Sequence, residues 1–265
     1  MVLGRKLTTE ETYRRVALDF VAGVGAAGVV SPIIATVDKA VVENAAGKLS
    51  LTASVRNSLR SMLMSPGKYF KAFEFRWIWL VYGSTYIANN SVDSLCKLTH
   101  TNDVAPKLVF VTLVNMLMSI LKDKAFAKNF GTSGQEKVKP VSVFIWMIRD
   151  VITMAAAFVI PSRIGKIFEK QGLSNSASQN LAQFLCPITF QFFLTPIHLL
   201  GLDFYNFPGQ SLIQRGSRIA RLYPSNTLIR MVRMGSAYGI GGVSNRKLRN
   251  IFHTKTEGAD WDKGY

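Results

Sequence analysis

Residues 181–202 read LAQFLCPITFQFFLTPIHLLGL, 22 positions without one Asp, Glu, Lys or Arg. A helix rises about 1.5 Å per residue and roughly 20 apolar residues cross the hydrocarbon of a bilayer, so this stretch reads as a membrane span. Residues 16–37 repeat the pattern with a single acid, Asp19. Four more apolar stretches, 75–92, 106–121, 141–160 and 227–243, each carry charge: Arg76, Lys107, Arg149 with Asp150, and Arg230 with Arg233. Charges inside spans face a bundle interior or an aqueous cavity rather than lipid. The six stretches together therefore predict an all-α membrane protein of six transmembrane helices around a polar cavity. Arg76, Arg149, Asp150 and Arg233 are the residues expected to line that cavity and to touch a solute.

Composition narrows the function. With 48% apolar and 18% charged residues over 265 positions, the chain is neither disordered nor collagen-like. Its 32 Lys and Arg against 16 Asp and Glu give a formal charge of +16, which suits a polyanion. The basic residues are interleaved with the spans rather than gathered on one soluble face, so membrane lipid is the expected partner and nucleic acid is not. Two cysteines, Cys96 and Cys186, and three histidines, His100, His198 and His253, supply neither a disulfide framework nor a metal site. No Gly-x-Ser-x-Gly elbow occurs, and no His is organised with an acid, so neither an enzyme nor a cofactor is expected. Gly23-Val24-Gly25-Ala26-Ala27-Gly28 matches the dinucleotide fingerprint GxGxxG literally, but strands and helices do not alternate after it. Gly23 and Ala27, four residues apart, suit the close approach of two membrane helices instead.

Basic residues mark alternate loops. Lys48, Arg56, Arg60, Lys68 and Lys71 follow the first span, a second basic stretch covers 122–139, and Arg215, Arg218 and Arg221 follow the fifth. The stretches 91–105 and 163–179 are less basic, which places the three basic loops on one side. Within two of those loops, 52–63 and 211–222 space apolar residues helically among arginines, the pattern of short amphipathic surface helices. Thr8 with Glu11 forms a capping box ahead of the first span. Glu10 and Glu11 argue against a transit peptide, and the apolar run is too long for a secretory signal, so no cleavable presequence is expected. The chain also reads in thirds, 1–97, 98–172 and 173–265, each with two spans, as one membrane domain. The second span of each third opens on an arginine: Phe75-Arg76-Trp77, Ile148-Arg149-Asp150 and Val232-Arg233-Met234.

These residues resemble the mitochondrial carrier family, over most of the chain. Pro32 and Pro196 stand where that family kinks its odd helices, and Arg149-Asp150 is similar to a cavity-lining pair on its fourth helix. Phe70-Lys71-Ala72 is similar to its aromatic-basic-Gly step, which implies lipid contact, with cardiolipin as the structural lipid. The resemblance implies a mitochondrial membrane, the inner ahead of the outer. Carried over position by position, the acids of the family's first ion-pair gate fall on Ile34, Leu121 and His198 and the bases on Val37, Lys124 and Gly201. Those of the second fall on Asn90, Ser162 and Arg246, and on Asp93, Gly165 and Arg249, leaving only a reversed Asp93–Arg249 pair. Both gating networks are thus expected to be missing. The reading this favours is a scaffold or complex subunit with protein partners; the alternative is a divergent solute carrier for a small carboxylate or amino-acid-like metabolite, an anion or zwitterion.

Overall fold

The computed structural model describes residues 9–99, 101–132 and 137–257. Thr8, one half of the expected capping box, and His100 lie outside them. Among the described residues there is no strand. Ten of the twelve α-helices among the described residues build six long rods: α1 (Thr9–Ala45); α4 (Phe73–Thr99); α5 (Val104–Pro106) with α6 (Thr112–Phe130); α7 (Pro140–Met154) with α8 (Ile160–Lys170); α9 (Asn175–Thr189) with α10 (Gln191–Asn206); and α11 (Leu212–Gly235) with α12 (Gly242–Glu257). Short helices α2 (Leu51–Met64) and α3 (Pro66–Phe70) join the first two rods. Single π-helical segments, Lys107–Val111, Ala155–Val159 and Ser236–Gly241, interrupt the third, fourth and sixth rods.

Each rod packs against its neighbours in sequence, and the sixth returns to the first through α11 and α12 on α1, so the ring closes. The connections after Ala45, Phe130 and Asn206 share one end, called lower here; those after Thr99 and Lys170 share the upper end. Four rods are long and apolar enough to cross a membrane: Glu10–Ala45, Val104–Phe130, Pro140–Lys170 and Ala177–Asn206. The α4 rod and the α11–α12 rod, expected as spans, fall short of that apolarity. Asn89, Asn90 and Asp93 interrupt the first of these, and Arg230, Arg233 and Asn245 the second.

The α1–α4 contact explains the glycine-rich run. A Cβ on Gly23 would lie 3.0 Å from the backbone nitrogen of Ile87, and one on Gly83 would meet Ala27 at 3.8 Å, so small residues on both helices let the backbones approach. GVGAAG is a helix contact inside an unbroken helix. The helices also run on through Pro32 and Pro196. The Pro32 carbonyl accepts from Thr36 Oγ1 at 2.9 Å and from Tyr69 Oη at 2.8 Å, which anchors α3 beneath α1. Burial pushes the Tyr69 hydroxyl above its usual range, so it stays protonated as a donor. Phe70 and Lys71 are exposed at this lower end, and Phe70 meets Phe75 edge-on at 5.0 Å.

Of the two expected surface helices, 52–63 is α2, capped by Ser50, whose Oγ accepts from the Ala53 N–H at 3.3 Å. The segment 211–222 is not separate. It continues through Pro224 as one helix, because Arg215 and Arg218 both pair with Asp203 and lie over the rings of Phe204 and Phe207 at 4.2 and 3.8 Å. Those contacts pin it to the end of α10.

Below mid-height the ring is filled. Val30, Ile34, Val41, Phe126, Trp146, Leu199, Leu202 and Tyr205 form a continuous buried core, with Phe73, Trp77 and Phe130 packed against it. Gly201 makes room for the fully buried Trp146, whose indole occupies the space a Cβ there would take.

Candidate functional site

Directly above this apolar plug lies a chain of ion pairs. Asp38 on α1 meets Lys122 on α6 at 2.8 Å and Arg233 on α11 at 2.6 Å. Lys122 meets Asp123 at 2.6 Å, Asp123 meets Arg149 on α7 at 2.7 Å, and Arg149 meets Asp150 at 2.6 Å. Arg149 Nη1 then reaches His198 Nδ1 on α10 at 2.6 Å. A guanidinium only donates, so Nδ1 is the acceptor and the ring proton sits on Nε2. The chain ties five of the six rods together.

A second network sits at the upper end. Arg249 on α12 pairs with Asp19 on α1 and with Asp93 on α4, each at 2.8 Å. Asp93 also meets Lys107 at 2.6 Å. Asp19 further accepts from Ser94 and lies 3.0 Å from His253 Nε2. Just below, the amides of Asn90 and Asn245 exchange hydrogen bonds at 2.9 and 2.8 Å.

Two ion-pair networks therefore form where the sequence reading expected charge networks to be missing. The charges stand beside the positions examined: Asp38 follows Val37, and Lys122 with Asp123 fall between Leu121 and Lys124. The reversed Asp93–Arg249 pair does form.

Between the two networks is a cavity of about 290 Å³, near the lower bound for small-molecule sites. Its wall includes Lys122, Arg149, Asp150, Gln191, Arg230 and Arg233, with Tyr82, Tyr86 and Tyr238 higher up and the exposed Arg246 at the upper rim. Arg149, Asp150 and Arg233 are among the lining residues. Arg76 does not: it is exposed and absent from the lining, because one turn into α4 its side chain reaches the surface.

Three wall residues have polar atoms with no partner among the described residues. Arg230 is 5% exposed and has neither a hydrogen bond nor an ion pair, with its Nε unsatisfied. Asp150 uses Oδ1 for Arg149 and leaves buried Oδ2 free. Gln191 leaves Oε1 free. A buried cation and a buried carboxylate oxygen without partners are costly unless a ligand completes them. Arg230 was visible as a charge in the sixth stretch, three residues from Arg233 and hence on the same face, but the repeat pattern drew attention to Arg233 alone. Gln191 carried no signal beyond a lone amide in an apolar run.

Compared with known families, one model, described as "Probable citrulline exporter", matches residues 22–253, which takes in parts of all six rods. The resemblance to the mitochondrial carriers is thereby corrected. Prolines within spans and an Arg-Asp pair on a cavity wall are demands of a polar cavity in a membrane and mark no single family. The scaffold role, inner-membrane location and cardiolipin that depended on it gain no support. The match places the chain in a family of probable membrane exporters. No curated protein matches the chain.

Proposed function

The chain belongs to the citrulline-exporter family, and we propose that its cavity carries a zwitterionic amino acid of that kind across the membrane. The observation that carries this reading is that a free buried cation, Arg230 on α11, and a free buried carboxylate oxygen, Asp150 Oδ2 on α7, line the same cavity. An α-carboxylate completes the first and an α-ammonium the second, each as a charge-assisted hydrogen bond. Arg233, one turn from Arg230, adds further cationic surface on the carboxylate side.

All six rods cross the membrane in this reading, as three pairs. The closed ring supports it, as does the placement of Asn89, Asn90 and Asp93 of α4 and of Arg230 and Arg233 of α11 toward a neighbour or the cavity. The two ion networks act as alternate closures of one cavity. A transporter needs two closed states whose contacts differ, and ligand shifts their balance only through such differences.

The test is saturable uptake of labelled citrulline into liposomes holding the full-length purified protein. Arg230→Met and Asp150→Asn are each expected to abolish uptake while the protein still unfolds cooperatively. Undiminished uptake by folded Arg230→Met protein would overturn the reading.

A further inference from the structure

Gln191 takes part in neither ion network nor the zwitterion clamp, yet it is fully buried and forms part of the cavity wall. Its Nε2 donates to the Pro187 carbonyl at 3.1 Å. A carbonyl only accepts, so the NH2 end of the amide must face Pro187, and Oε1 is the end left over. That oxygen has no partner among the described residues. The amide is therefore held from one side with a bare acceptor on the other.

We propose that Gln191 Oε1 receives an N–H of a neutral ureido or amide side chain and makes the site prefer such amino acids over those with cationic side chains. This rests on the transport reading above. Position supports it. Gln191 and His198 are both on α10, seven residues and so about 10 Å apart along its axis. His198 is bonded to Arg149, the neighbour of Asp150. A ureido group stands about 6–7 Å from its Cα by bond lengths, so an amino acid clamped near Asp150 extends toward the level of Gln191. Charge supports it too. Asp38, Asp123 and Asp150 offset Lys122, Arg149 and Arg233, which leaves Arg230 and Arg246 in excess on the cavity wall, so a substrate bringing a second ammonium enters a field already cationic. A neutral N–H donor meets no such repulsion and satisfies the amide oxygen.

The experiment is competition against labelled citrulline uptake in liposomes holding the full chain. The competitors are glutamine, ornithine, arginine and norleucine. For the unmodified protein, citrulline and glutamine are expected to compete at concentrations at least about tenfold below ornithine and arginine, the discrimination available to a site built around a hydrogen bond. Gln191→Leu is expected to remove the advantage of citrulline over norleucine, and Gln191→Glu to reverse the order in favour of ornithine. Gln191→Asn, which withdraws the oxygen by one methylene, serves if Gln191→Leu does not fold, and it too should erode the ureido preference. Wild-type order in the folded variants would overturn the proposal and leave the transport reading standing. No uptake of any amino acid by the unmodified protein would overturn the transport reading itself.

Discussion

Asp38→Asn tests whether the lower network holds the ring closed. The substitution keeps the shape and removes the charge between two cations, Lys122 at 2.8 Å and Arg233 at 2.6 Å. All three side chains are at least 85% buried, with relative exposures of 6%, 6% and 15%. Breaking a buried pair from one side costs about 3–5 kcal/mol, because the remaining charge is stranded without solvent. Lys122 keeps Asp123 at 2.6 Å, so the loss falls mainly on Arg233 and the lower figure is the better guide. At roughly 2–4 °C per kcal/mol for a chain of this size, the unfolding midpoint in detergent is expected to drop by at least about 6 °C. Arg233→Met alone should also destabilise. The pair of changes together should cost less than the two summed, by about 0.5–3 kcal/mol, as coupled neighbours do. Scanning fluorimetry on the four proteins measures the whole cycle. An Asp38→Asn midpoint within about 2 °C of the unmodified protein, with additive single changes, would refute the view that this network carries closure.

Two further substitutions separate packing from binding. Gly201→Ala puts a methyl where the Trp146 indole lies and is expected to cost about 1–3 kcal/mol, relieved by Trp146→Phe; an unchanged midpoint would contradict the packing described for the plug. Arg76→Ala is expected to move stability by less than about 0.5 kcal/mol and to leave half-saturation for citrulline unaltered, since the side chain is exposed outside the cavity; a large loss of uptake in a transport titration would return Arg76 to the site.

What could be read from the sequence depended on how far each inference was from a single helix face. The runs 16–37 and 181–202 were legible as long apolar helices because almost nothing polar interrupts them. Arg149, Asp150 and Arg233 were legible as cavity residues because mid-span charge has no other stable place. Arg76 obeyed a different rule: close to a helix end, an arginine can reach the surface along its own aliphatic stem. The networks were missed through register. A slip of one residue turns a side chain by about 100° around the helix, so Val37 and Asp38 face different neighbours, and only the packed ring shows which one meets Lys122. The free oxygen of Gln191 was out of reach for another reason. It depends on which carbonyl the amide nitrogen has taken, and no spacing rule encodes that.

The two ion networks are unequal, and on the transport reading the inequality bears on how a substrate could switch them. The lower one draws on five rods and rests on a packed apolar plug. The upper one joins α1, α4, α12 and the Lys107 turn, and among the described residues no ion pair brings α8 or α9 into it. The upper end is thus latched on one side of the ring only. On the transport reading, a ligand must weaken the lower chain to move the balance, and the wall residues are placed for it. Asp150 already shares Oδ1 with Arg149, so an arriving ammonium competes for the same carboxylate. An arriving carboxylate on Arg230 lies one turn from Arg233 and competes with Asp38 for that guanidinium. The carboxylate end therefore loosens a link between rods, Asp38–Arg233, while the ammonium end loosens a pair internal to α7. A cation alone would loosen the pair within α7 and leave the Asp38–Arg233 link between rods intact.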